Sequence, residues 1–111
     1  MSQPEATMFK TATCILALAA LSLPAIAAEV TVDQLKNGQP KPVKVIIDRI
    51  TICDHFAGEE GYDAARRKEI NAAMTRYKCD KVENDTAKLL KQYKDQPLTI
   101  KAINGAVHLY D

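Results

Sequence analysis

The chain has 111 residues, with 15 Lys and Arg against 14 Asp and Glu, for a formal net charge of +1. That balance excludes the strongly basic surface that nucleic-acid binding or adhesion to an anionic membrane requires. The length allows one small domain, and three cysteines in so short a chain make the redox state of its compartment the first question.

Residues 1–28 read as a cleavable export signal. Lys10 precedes an apolar run from Ala12 to Leu23, Pro24 breaks it, and Ala25-Ile26-Ala27-Ala28 offers the small residues a signal peptidase reads. The run is shorter than the roughly 20 apolar residues of a membrane anchor. Met8 is an alternative start, since Pro4 and Glu5 suit a basic leader region poorly. A lipoprotein acylated at Cys14 is excluded, because Thr11-Ala12-Thr13 precedes that cysteine and the apolar run follows it. Cleavage after Ala27 or Ala28 leaves about 83 residues carrying 14 basic and 13 acidic side chains. The expected location is periplasmic or secreted, with no stable membrane anchor after cleavage.

Removal of Cys14 leaves Cys53 and Cys79, an even pair in an oxidising compartment, which predicts a disulfide. Closing so long a loop is worth about 3 kcal/mol by loss of chain entropy in the unfolded state. A domain this small buries only about 60% of its surface, so such a staple matters. A redox-active pair favours C-x-x-C, and structural zinc needs four ligands at closer spacing.

Residues 29–42 form a polar, Pro-rich arm with one helical turn at Val32–Lys36. The stretch 43–53 is rich in β-branched residues, which favours a strand. Its polar positions Lys44, Asp48, Thr51 and His55 nevertheless step by four, three and four, with Val43, Ile46, Ile47, Ile50 and Cys53 as the complementary stripe. Helix is the preferred reading. A firmer helix spans 63–78, N-capped by Asp63, with Ile70, Ala73, Met74 and Tyr77 on one face. Another begins at Asp80, with Glu83 completing a capping box and Val82, Thr86, Leu89, Leu90 and Tyr93 turned inward. For 97–111, Asn104-Gly105 is either a hairpin turn or the end of a short helix opened by Pro97, and the helix is favoured. The fold class expected is mainly α, a small disulfide-stapled helical domain over 43–111. The alternative is α+β, with a strand at 43–53 and a C-terminal hairpin.

A Cys53–Cys79 bridge constrains the path between them. A helix over 63–78 is about 24 Å long, so the chain leaving Cys53 must travel back that length. Residues 54–62 then form a nearly taut strap along the helix, with Phe56 and Tyr62 tucked in.

The run Cys53-Asp54-His55-Phe56-x-Gly58-Glu59-Glu60-x-Tyr62-Asp63, followed by Arg66 and Cys79, resembles a pattern in small exported bacterial proteins of uncharacterised function. The resemblance covers residues 50–103 and implies no activity. A second set, Cys79-x5-Asp85-x3-Leu89-x3-Tyr93, is similar to part of the helical lysozyme-inhibitor-type domain of LprI-like proteins, which carry further cysteines that this chain lacks.

Asp54, His55, Glu59, Glu60 and Asp63 place one imidazole and four carboxylates within ten residues. Such a set can hold a divalent metal, with His55 and Glu59 as the leading pair. The competing reading pairs the acids with Arg66, Arg67 and Lys68 and with the positive end of the helix beginning there. His108 reads as a solvent-facing side chain. No serine follows Ser22, and both remaining cysteines are expected in the bridge, so nucleophilic catalysis lacks its residues. The expectation is therefore a binding or inhibitor-type protein, not an enzyme, that meets an envelope protein through residues 54–63 and carries no cofactor. A divalent-metal-binding protein is the alternative.

Overall fold

The computed structural model describes residues 29–111, so the export signal, with Cys14, lies outside the described residues. Five α-helices follow one another in chain order, and the described residues contain no strand. They are α1 (Val32–Lys36), α2 (Lys41–Ala57), α3 (Ala64–Arg76), α4 (Val82–Gln92) and α5 (Pro97–Val107), with a 3-10 turn at Cys79–Lys81 before α4.

The central helix is α2, and its stripe is the one that the three-and-four spacing marks out. Val43, Ile46, Ile47, Ile50 and Cys53 are all buried. β-Branched content did not make it a strand, because a helix turns these five side chains to one side where α5 and α4 can cover them. On α5, Ala102, Ile103 and Ala106 complete the core, and Val32, Leu35, Val82, Leu89, Leu90 and Tyr93 close around it half-buried. Val43, Ile47, Ile103 and Ala106 have no exposed surface at all.

The capping box of α1 is formed by Thr31 and Gln34, each bonding the other's backbone N–H. In α5, Pro97 opens the first turn as expected, but Asn104-Gly105 does not end the helix, which runs on to Val107. Ala106, just beyond, is fully buried in the core and keeps the helix going, while Gly105 lies so close to α1 that a Cβ there would stand 2.7 Å from Leu35 Cδ2. The start of α4 also departs from expectation. Asp80 makes no cap; it sits inside the 3-10 turn, and α4 begins at Val82 without a side-chain cap. Lys78, just before the turn, adopts left-handed backbone angles (φ 52, ψ 51). That conformation costs a non-glycine residue on the order of 1–2 kcal/mol.

Cys53 and Cys79 are joined, with Cα atoms 5.5 Å apart. The expected strap over 54–62 is replaced by something shorter, since α2 continues as helix through Ala57 and only residues 58–63 are loop. Phe56 is half-buried on that last helical turn, whereas Tyr62 is 80% exposed. Residues 64–69 at the start of α3 are exposed except for the half-buried Arg66, and the first buried position of the helix is Ile70. No helix among the described residues is long and apolar enough to cross a membrane.

Candidate functional site

The segment singled out by its acids and histidine folds largely onto itself. Asp63 Oδ1 accepts from the backbone N–H of Arg66 at 2.7 Å and caps α3. The Arg66 guanidinium bonds Glu59 on one side and Glu69, at 2.8 Å, on the other. Those hydrogen bonds, to Glu69 first and Glu59 second, hold its pKa above the ordinary arginine value. Arg67 Nη1 donates to the carbonyl of Gly61 at 3.1 Å, which shapes the turn into α3.

His55 is mostly exposed, with Nε2 3.6 Å from Glu59 Oε1. The two residues of the expected metal pair are thus brought together across the C-terminal end of α2, with His55 on its last turn and Glu59 in the loop after it. Asp54 and Glu60 are exposed and make no ion pair with the described residues. Among the described residues no group of three or more His, Cys, Asp and Glu side chains is placed to share a metal ion.

Two features were not drawn from the sequence. The first is Arg49, one turn before Cys53 on α2. Its Nε donates to the carbonyl of Tyr77 at 2.9 Å, Nη2 to that of Lys78 at 3.0 Å, and Nη1 to Asp85 Oδ2 at 2.9 Å. The guanidinium therefore satisfies the Tyr77 carbonyl at the end of α3, adds a second donor to the Lys78 carbonyl that already accepts from the Lys81 N–H, and ties both to α4 beside the disulfide. Its hydrogen bond holds the Asp85 carboxyl below the ordinary carboxylate range.

The second feature is a wide groove of about 1050 Å³ between the chain entering α1 and the outer face of α5. Leu98, Ala102, Gly105 and Leu109, spaced four, three and four apart, line one side, and Val30 and Leu35 line the other. Leu98 is 78% exposed and Tyr110 65%, and both add apolar surface to the groove. The helical spacing of the α5 residues was the available signal, but it shows only once the hairpin reading of 97–111 is set aside. Its surface is mostly apolar, and Glu29, Thr31, Gln34, Asn37, Gln39, Lys101 and His108 add polar groups to the lining. His108 is exposed, as expected, and pairs with Asp111.

Comparison with protein-family models, curated proteins and solved structures finds no match. Two surfaces stand out among the described residues: an ion-paired strip at the start of α3 and a mostly apolar groove beside α5.

Proposed function

We propose that this chain is a small exported binding protein, of the interaction or inhibitor type, that acts by protein–protein contact and performs no catalysis. The observation that carries the reading is the α1–α5 groove, because an open, mostly apolar groove with exposed Leu98 and Tyr110 and polar groups along its lining suits an amphipathic segment of another protein. Residues 54–63 are the weaker contact surface, since Glu59 and Asp63 already have partners within the chain. Export through residues 1–28 belongs to the same proposal; the Cys53–Cys79 bridge is compatible with an oxidising compartment. The inhibitor-type reading rests on the similarity at Cys79, Asp85, Leu89 and Tyr93.

Crosslinked pull-downs from envelope extract test the assignment. The parent chain and His55→Ala/Glu59→Ala should capture the same partner, and Leu98→Glu/Tyr110→Ala should lose it. The reverse pattern would move the contact surface to the 54–63 segment.

The 3.6 Å approach of His55 to Glu59 supports a second reading, a divalent-metal site of two protein ligands completed by water. Arg66 competes for Glu59 in that case. A metal that binds the folded form raises its melting temperature. An unchanged melting temperature in excess zinc would dismiss this reading.

A further inference from the structure

The domain has two unequal parts. Its apolar cluster draws on α1, α2, α4 and α5, and α3 supplies none of it. α3 touches only α2 and the 3-10 turn, and Ile70 is its one buried residue. A helix of 13 residues is marginal by itself in water. One buried isoleucine, with Ala73, Met74 and Tyr77 half-buried beside it, offsets the ordering of only part of the helix, so much of the hold on α3 comes from its ends. At the N-terminal end that hold is the Asp63 cap and the Glu59–Arg66 ion pair. At the C-terminal end it is two ties to α2 one turn apart, the Arg49 bonds to the carbonyls of Tyr77 and Lys78 and the Cys53–Cys79 bridge.

We propose that residues 58–78 form an arm that opens from α2 as a unit while the rest of the domain stays folded, and that the Cys53–Cys79 bridge is a latch at its base, released by a dithiol reductant. Cys53 is buried and Cys79 only half-buried, which makes Cys79 the more open end of the bridge to an incoming thiolate. Attack there forms a mixed disulfide and expels Cys53 as a thiolate, which takes up a proton. The second thiolate of the reductant then displaces Cys79, which is protonated in turn. Two electrons and two protons have passed to the protein, and the reductant departs as a disulfide. Of the two ties at the C-terminal end of α3 only Arg49 then remains, beside the half-buried contacts of Ala73 and Tyr77, and the next position packed on the core is Val82 in α4. Opening uncovers Ile70 and the shallow pocket in which Ile52 and Phe56 of α2 face Ala73 and Tyr77.

Hydrogen exchange followed by mass spectrometry on the chain, oxidised and then reduced with dithiothreitol, tests this. In the oxidised protein, amides of 64–78 should exchange at least about tenfold faster than those of 43–50 and 99–106, as sub-global opening requires. Reduction should raise exchange over 64–81 by about a further tenfold, most at the C-terminal end, and leave the other two segments within about twofold. Equal protection of arm and core before reduction would overturn the arm. No response to reduction, or a rise spread over the whole domain, would overturn the latch. Oxidised Arg49→Gln keeps the bridge and removes the neighbouring tie. It should raise exchange in the same segment by about threefold, and a rise shared by 99–106 would count against a separate arm.

Discussion

Arg49 donates three hydrogen bonds to groups between 28 and 36 residues away, two of them backbone carbonyls. Nothing in the sequence marks such a role, because a carbonyl carries no side-chain signature and Asp85 is one acid among many. What the sequence did offer was position: Arg49 and Cys53 are four apart on a helix, so whatever reaches the disulfide also meets the arginine. The Asp63 cap and the acids beside Arg66 were legible, being local in sequence, while the His55–Glu59 approach depends on α2 continuing to Ala57. The Arg49–Asp85 pair has a pH signature. Because the folded-state pKa of Asp85 is depressed, its stabilisation is fully present above the ordinary carboxylate value and is lost as pH falls through the depressed one. Asp85→Asn should therefore melt a few degrees below the parent at neutral pH. The gap should narrow with acidification and close once the parent's own Asp85 is protonated. Thermal melts of the two proteins across the acid range would show this convergence; a constant gap would mean the charge is not what matters.

At the scale of elements, helical periodicity decided more than residue propensity did. The stripe on α2 and the inward set on α4, Val82, Thr86, Leu89, Leu90 and Tyr93, could both be read from spacing. Where an element begins or ends was less legible, since Asp80 and Asn104-Gly105 carry local signals that packing overrode. Gly105 is the clearest case. Alone, a glycine in a helix costs about 1 kcal/mol relative to alanine. Here a Cβ would meet Leu35 Cδ2 at 2.7 Å, the flexible end of a half-buried side chain. Gly105→Ala should thus change stability by less than about 1 kcal/mol, the helical gain and the displacement of Leu35 nearly cancelling. Gly105→Leu cannot be absorbed by one methyl group moving, and should cost about 1–3 kcal/mol by prising α1 away. Urea unfolding of the three proteins separates the cases; equal stability of all three would mean that α1 is not seated on α5.

For the molecule as a whole, the question is where the domain begins. Residues 29–42 read as an arm ahead of a domain over 43–111, and the turn at Val32–Lys36 was legible within it. Its destination was not, because a single turn with two apolar residues can dock on any apolar face. In the structure α1 contacts both α2 and α5, Leu35 rests over Gly105, and Lys36 pairs with Asp48 at 3.0 Å. Farther along, Gln39 accepts from the buried Thr99 hydroxyl at 2.9 Å. Half-burial of Val32 and Leu35 is worth about 2 kcal/mol together. In a domain this size that corresponds to a melting temperature roughly 10 °C higher. A chain beginning at Gly38 retains Gln39 and Pro40 but lacks α1, and should melt about that much below one beginning at Glu29. It should also bind more of an apolar dye, since the face of α5 that carries Ala102 and Gly105 is then uncovered. If instead the two chains melt within about 2 °C of each other, α1 is an appendage and the groove beside it is not a built surface.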